Sequence, residues 1–199
     1  MKRNISCACF VTTFLFFYML ISSGNVFAKS VPLADMGVQE FCERYNSLNS
    51  EFEQGGISNA PYWNVNISSI NHISQNGNDI YETIIPSDAG NILVTFSTNS
   101  SGTIDRVKVS MSFETYNAVV KNTRNGKGFS LMSICVMGRA AGLKGTEFRK
   151  WVDACTSLNS NSGGEKSVWC GSTERYIMLS VYPNKEIRTV EHTLWAEVD

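Results

Sequence analysis

The feature that most limits what this chain can become is a change of period near Gly55-Gly56. Before it, Val38, Phe41, Cys42, Tyr45, Leu48 and Phe52 recur at spacings of three and four, with Glu40, Glu43, Arg44 and Glu51 between them. Such spacing gathers the apolar set on one side of a 3.6-residue helix, so an amphipathic helix is expected over 35–52. From 62 to 112 the period becomes two: Trp63, Val65 and Ile67, then Ile80, Thr83 and Ile85, then Ile92, Val94 and Phe96, then Ile104, Val107, Val109 and Met111. Alternation sends every second side chain to one face of a strand. The runs are parted by Asn76-Gly77-Asn78, Ser87-Asp88-Ala89-Gly90 and Asn99-Ser100-Ser101-Gly102, residues that supply turn conformations, so four antiparallel strands are expected.

The second half reads as helices and then strands. A short helix is expected at 113–120 and a loop at 125–128. The stretch 129–141 is apolar almost all round, which predicts a buried helix ending near Gly142 and too short to span a bilayer. Thr146 opens a further helix to Leu158, with Phe148, Trp151, Val152 and Cys155 on one stripe. After a loop at 159–165, two β runs are expected, 167–170 extending toward 176–181, and 186–198 with Ile187, Thr189 and Leu194 alternating. The sum is an α+β fold, a mainly antiparallel sheet with helices packed on one face. Ser47-Leu48-Asn49-Ser50 also lies on Ser157-Leu158-Asn159-Ser160, and with that offset Val38, Phe41, Cys42, Tyr45 and Leu48 fall on Phe148, Trp151, Val152, Cys155 and Leu158. Duplication of a helix-then-sheet half would leave this pattern, although amphipathic helices share a period in any case.

Compartment is written at the start. Lys2 and Arg3, an apolar run over 10–21, and Val26-Phe27-Ala28 with small residues at −3 and −1 have the form of a secretory signal cleaved before Lys29. A membrane anchor fits less well, because Ser22, Ser23, Gly24 and Asn25 break the run short of roughly 20 apolar residues. The mature chain, 29–199, is expected to be a single periplasmic or secreted domain with no stable membrane insertion. Cys7 and Cys9 leave with the signal. Cys42, Cys135, Cys155 and Cys170 stay, and an even count in an exported domain predicts two disulfides. Their spacings of 93, 20 and 15 lack the close pairs that zinc sites use. Cys155 and Cys170 flank a loop of Asn, Ser and Gly, so they are expected to pair with each other and Cys42 with Cys135.

Composition narrows function by exclusion. With Lys2 and Arg3 removed, fifteen basic residues face 18 acidic ones, a formal charge of −3, and the basic residues are dispersed. Phosphate neutralisation needs them gathered on one face, so nucleic acid is not an expected partner. His72 and His192 stand beside no nucleophile loop of the G-x-S-x-G kind. The stretch Gly138 to Thr146 holds glycines and Lys144, but not in the spacing of a phosphate loop, and a buried helix precedes it. No catalytic residue, metal site or cofactor is therefore expected.

What the chain does carry is aromatic residues. Trp and Tyr bury much area at small entropic cost and anchor protein interfaces. The reading is an exported protein-binding module, of the inhibitor or immunity type that covers a partner enzyme or toxin, with Trp63 and Trp195 as binding anchors on presumed strands. An accessory factor of an envelope or secretion assembly is the alternative. An envelope hydrolase built on carboxylates is the third, because such pairs are made in space rather than in sequence.

Overall fold

In the computed structural model, which describes residues 29–55, 63–75, 78–121, 132–158 and 163–198, the three-four spacing folds into helix α1 (Val38–Gln54). Val38, Phe41, Cys42, Tyr45 and Leu48 form its buried stripe. It begins later than Asp35 because that carboxylate is engaged elsewhere, accepting a guanidinium N–H of the buried Arg175 at 2.5 Å. Arg175 also donates to the Pro32 carbonyl. The Leu33 and Ala34 amides both donate to the Ile104 carbonyl, at 2.7 and 3.2 Å. The chain therefore enters extended, with β1 (Lys29–Val31) paired to the last strand, and turns helical only after Gly37. The expected signal at 1–28, the Asn76-Gly77 turn and the loop at 125–128 lie outside the described residues.

The run Trp63, Val65, Ile67 is not a strand. Asn46 of α1 donates through Nδ2 to the Val65 carbonyl at 3.0 Å and accepts from the Val65 amide at 2.8 Å, doing for 63–66 what a neighbouring strand would do. Ile67–Ser69 is a single 3-10 turn. The first strand of the meander is instead β2 (Asn71–Gln75), followed by β3 (Asn78–Ser87), β4 (Gly90–Thr98) and β5 (Ile104–Ser112). Two turns form where the sequence places them. Ser87 Oγ accepts from the Ala89 amide ahead of Gly90, and Asn99 Oδ1 accepts from the amides of Ser101 and Thr103 around Gly102, whose φ of +79° suits glycine. Ile104 and Val107 are both buried despite their odd spacing because the β4–β5 register shifts between Ser97 and Thr98, a bulge that leaves Asp105 extra.

Helix α2 (Phe113–Lys121) follows β5, then α3 (Met132–Ala140) and α4 (Gly145–Ser157). Ile134, Cys135, Val136, Met137 and Ala140 of α3 are buried, as the all-round apolar run requires. Trp151 of α4 is buried against it, its indole N–H on the Ile134 carbonyl at 3.3 Å. The final β runs divide differently from expectation. Strands β6 (Gly164–Cys170) and β7 (Arg175–Asn184) are separated by a turn at 171–174, closed by Glu174 at φ 50°, and β8 (Thr189–Val198) begins only after a turn at 185–188 with Arg188 at φ 53°. Ile187 sits in that turn, 63% exposed, rather than in a strand.

These strands make an eight-stranded antiparallel sheet in the order β2-β3-β4-β5-β8-β7-β6, with β1 paired to β8 off this path. Two meanders meet at its centre, where Val107 of β5 lies opposite Leu194 of β8. A helix precedes each meander, α1 the first and α4 the second. The helices lie on one face: Phe41 of α1 meets Phe96 edge-on at 5.9 Å, and Tyr116 of α2 stacks on His192 at 6.2 Å. Ser30–Val198 forms one compact unit around this core. Among the described residues no helix is long and apolar enough to cross a membrane.

Candidate binding face

Alternation that buries one set of side chains delivers the other set to the opposite side of the sheet. On β4 that set includes Leu93, on β5 Arg106 and Lys108, on β8 Glu191, Trp195 and Glu197, on β7 Tyr176, Met178 and Tyr182, and on β6 Trp169; all are exposed or half-buried. Leu93 is 39%, Trp169 43% and Tyr182 55% exposed. Register places them side by side. Trp169 lies opposite Tyr176 and Tyr176 opposite Glu197; Met178 lies opposite Trp195 and Trp195 opposite Arg106.

The result is an apolar stripe crossing four strands. Trp169 and Tyr176 meet edge to face at 5.0 Å. Trp195 donates its indole N–H to Glu197 Oε1 at 2.7 Å, and the Arg106 guanidinium lies 5.9 Å from the Trp195 ring centroid, a cation–π arrangement. Its polar edge satisfied within the sheet, Trp195 leaves its ring for contact. A salt bridge between Lys108 and Glu191, at 3.0 Å, borders the stripe. The arrangement can offer flat apolar area with fixed charges beside it.

Of the two expected anchors, Trp195 belongs to this face and Trp63 does not. Trp63 lies in the irregular segment beside α1, packed against the core edge, with its carbonyl accepting from Tyr45 Oη at 3.1 Å and Asn49 Nδ2 at 2.9 Å. Trp169, Tyr176, Met178 and Arg106 join the site without having been singled out as anchors. Alternation was the signal that could have found them, but the missed turn at 171–174 hid which phase of the β6 and β7 runs faces outward.

Comparison with family models, curated proteins and solved structures returns no match to this chain. Its chemistry must be read from its own residues.

The two histidines are far from forming a catalytic pair. His72 Nε2 lies 2.9 Å from Asp79 Oδ1 on the β2–β3 hairpin, both side chains about half exposed, with the ring stacked on Tyr81 at 4.6 Å. His192 is fully buried, and neither ring nitrogen has a hydrogen-bond partner among the described residues. Burial pulls its pKa down to about 4, so at neutral pH the ring is uncharged. A cleft of about 750 Å³ opens where the start of α1 meets the 3-10 turn and β3, with Glu40, Glu43, Ile70 and Tyr81 in its wall. Its two carboxylates are solvent-exposed, and Glu43 accepts from Gln39 Nε2 at 3.0 Å. Among the described residues no three His, Cys, Asp or Glu side chains converge as a metal site would require.

Cys42, Cys135, Cys155 and Cys170 are all buried. Burial pushes Cys42 up to about 12, with the Glu43 carboxylate adding to it, and raises Cys155 as well. Cys135 is among the groups that raise Cys155, and Cys170 Sγ rests 3.4 Å from Ser172 Oγ.

Proposed function

We propose that this chain is an exported periplasmic protein-binding module that holds a folded partner against the open face of its sheet. The observation that carries the reading is the stripe of Trp169, Tyr176, Met178, Trp195 and Arg106. Those four residue types are the ones enriched at the centres of protein interfaces, where flat aromatic area is buried at little entropic cost and a guanidinium supplies direction. A flat face covers a partner's surface rather than enclosing a small molecule, which suits an inhibitor or immunity-type protein masking an enzyme or toxin. Export is supported by the basic start, short apolar run and Val26-Phe27-Ala28 of the first 28 residues.

The test is capture from an envelope extract with the mature chain 29–199 immobilised, beside a Trp169→Ser/Trp195→Ser variant of matched circular dichroism. A stoichiometric protein retained by the first and lost from the second is the expected result. If that protein is an enzyme or toxin whose activity falls on binding, the masking role stands; if it is a component of an envelope assembly, the accessory role replaces it. A partner held equally by both forms would remove the sheet face from the mechanism.

A further inference from the structure

Helices α3 and α4 form an antiparallel hairpin through a tight turn, in which the Leu143 amide donates to the Gly138 carbonyl at 3.2 Å and Arg139 donates to the Leu143 carbonyl at 3.0 Å. Their contact is unusually close at one level. A Cβ at Gly138 would collide with the Trp151 indole, so only glycine lets the ring lie flat against α3 and reach the Ile134 carbonyl. That contact fixes the register of the pair. In antiparallel helices, a step of three back along α3 and four forward along α4 stays on the same facing stripes. From Gly138 and Trp151 those steps lead to Cys135 and Cys155. They are buried to within 1%, and Cys135 is near enough to Cys155 to help raise its pKa.

The other thiols have other surroundings. Cys170 Sγ lies under the α3–α4 turn, where it would stand 3.5 Å from a Cβ at Gly142, while Cys155 is about 15 Å further along α4 from Gly145 at 1.5 Å per residue. A disulfide needs Cβ atoms about 3.8 Å apart, so Cys170 and Cys155 cannot be joined without moving the hairpin. Cys42 approaches from α1, with the ring of Tyr45 buried close to both Cys42 and Cys135.

We infer that Cys135 and Cys155 form a disulfide across the α3–α4 hairpin, leaving Cys42 and Cys170 as buried thiols. Formation is a thiol–disulfide exchange. The thiolate of one cysteine attacks a sulfur of an external disulfide, either a small-molecule disulfide or that of an oxidoreductase, and expels one thiolate; the second cysteine then attacks the mixed disulfide and expels the other. Two protons and two electrons leave the protein, and the oxidant becomes two thiols. Because both sulfurs end inside the core, the exchange belongs to the stage of folding at which the hairpin has formed and α1 has not yet closed over it. The inference rests on the helix register and not on the binding reading, so either can fail alone.

The wild-type chain decides it without any variant. After refolding of the purified mature chain in oxidised and reduced glutathione, free thiols are alkylated in acidic denaturant and the protein is cut with trypsin unreduced. The expected product is a linked pair of peptides, 128–139 carrying Cys135 and 151–166 carrying Cys155, with alkylated Cys42 in 30–44 and alkylated Cys170 in 167–175. A linked peptide containing Cys42 or Cys170, or alkylation of all four, would overturn it.

Discussion

His192 is the residue whose surroundings most restrict the conditions this fold tolerates. It stands on the inner face of β8 between Val109 and Val181 of the flanking strands, beneath Tyr116, with both ring nitrogens unpartnered among the described residues. Its pKa falls from 6.5 to about 4 because a charged ring would be stripped of water there. In the unfolded chain the ring has its ordinary value, so as pH drops below about 6.5 the unfolded state takes up the proton first. Stability from this group is full above that pH, declines between 6.5 and 4, and levels off below. The loss is on the order of 3 kcal/mol, at ~1.4 kcal/mol per unit of pKa difference. Urea unfolding from pH 7 to pH 4 should show this slope in the native sequence and a flatter profile for His192→Leu. An unchanged slope in the variant would place the titration on other groups.

At the scale of elements, period was enough to find the helices and the sheet but not to decide every phase. The α1 and α3 stripes and the strands β3, β4 and β5 stand near where spacing put them, because burial on one side is the physical cause of both pattern and element. The errors are local substitutions of one hydrogen-bond partner for another. Residues 63–67 alternate like a strand, yet the partner of Val65 is the Asn46 side chain, and alternation carries no information about who satisfies the backbone. The same blindness moved Ile187 from a turn into a strand and put Trp63 on one. The pairing of β5 with β8, which brings Arg106 to Trp195, joins distant parts of the chain and left no local trace. Asn46 offers a direct check. Asn46→Ala removes two hydrogen bonds and leaves the Val65 amide and carbonyl without them, which should cost about 2 kcal/mol in urea unfolding. Hydrogen exchange at the Val65 amide should accelerate toward the unprotected rate. A Val65 amide as slow as in the parent would mean that neighbouring backbone, and not Asn46, holds this segment.

For the whole molecule, the central fact is that an eight-stranded sheet is covered by its described helices on one side and carries a Trp–Tyr–Met–Trp–Arg stripe on the other. Stability alone gives little reason for Trp169 to be 43% exposed, since its indole gains most when buried. If the stripe is the docking surface, affinity and stability should separate cleanly among the tryptophans. Trp169→Ala and Trp195→Ala should each weaken partner binding by about 2 kcal/mol or more, roughly 30-fold in Kd, with only small changes in unfolding. Trp151→Ala should do the reverse, losing about 3–5 kcal/mol of stability through the cavity it leaves in the core. His72→Gln, which breaks the half-exposed pair with Asp79 away from the stripe, should leave both quantities nearly unchanged. Near-UV circular dichroism establishes that each variant is folded, and titration calorimetry against the captured partner reads the affinities. Full affinity in the Trp169 and Trp195 variants together with loss of function in a folded His72→Gln would turn the search from a binding face to an enzyme built around the β2–β3 hairpin.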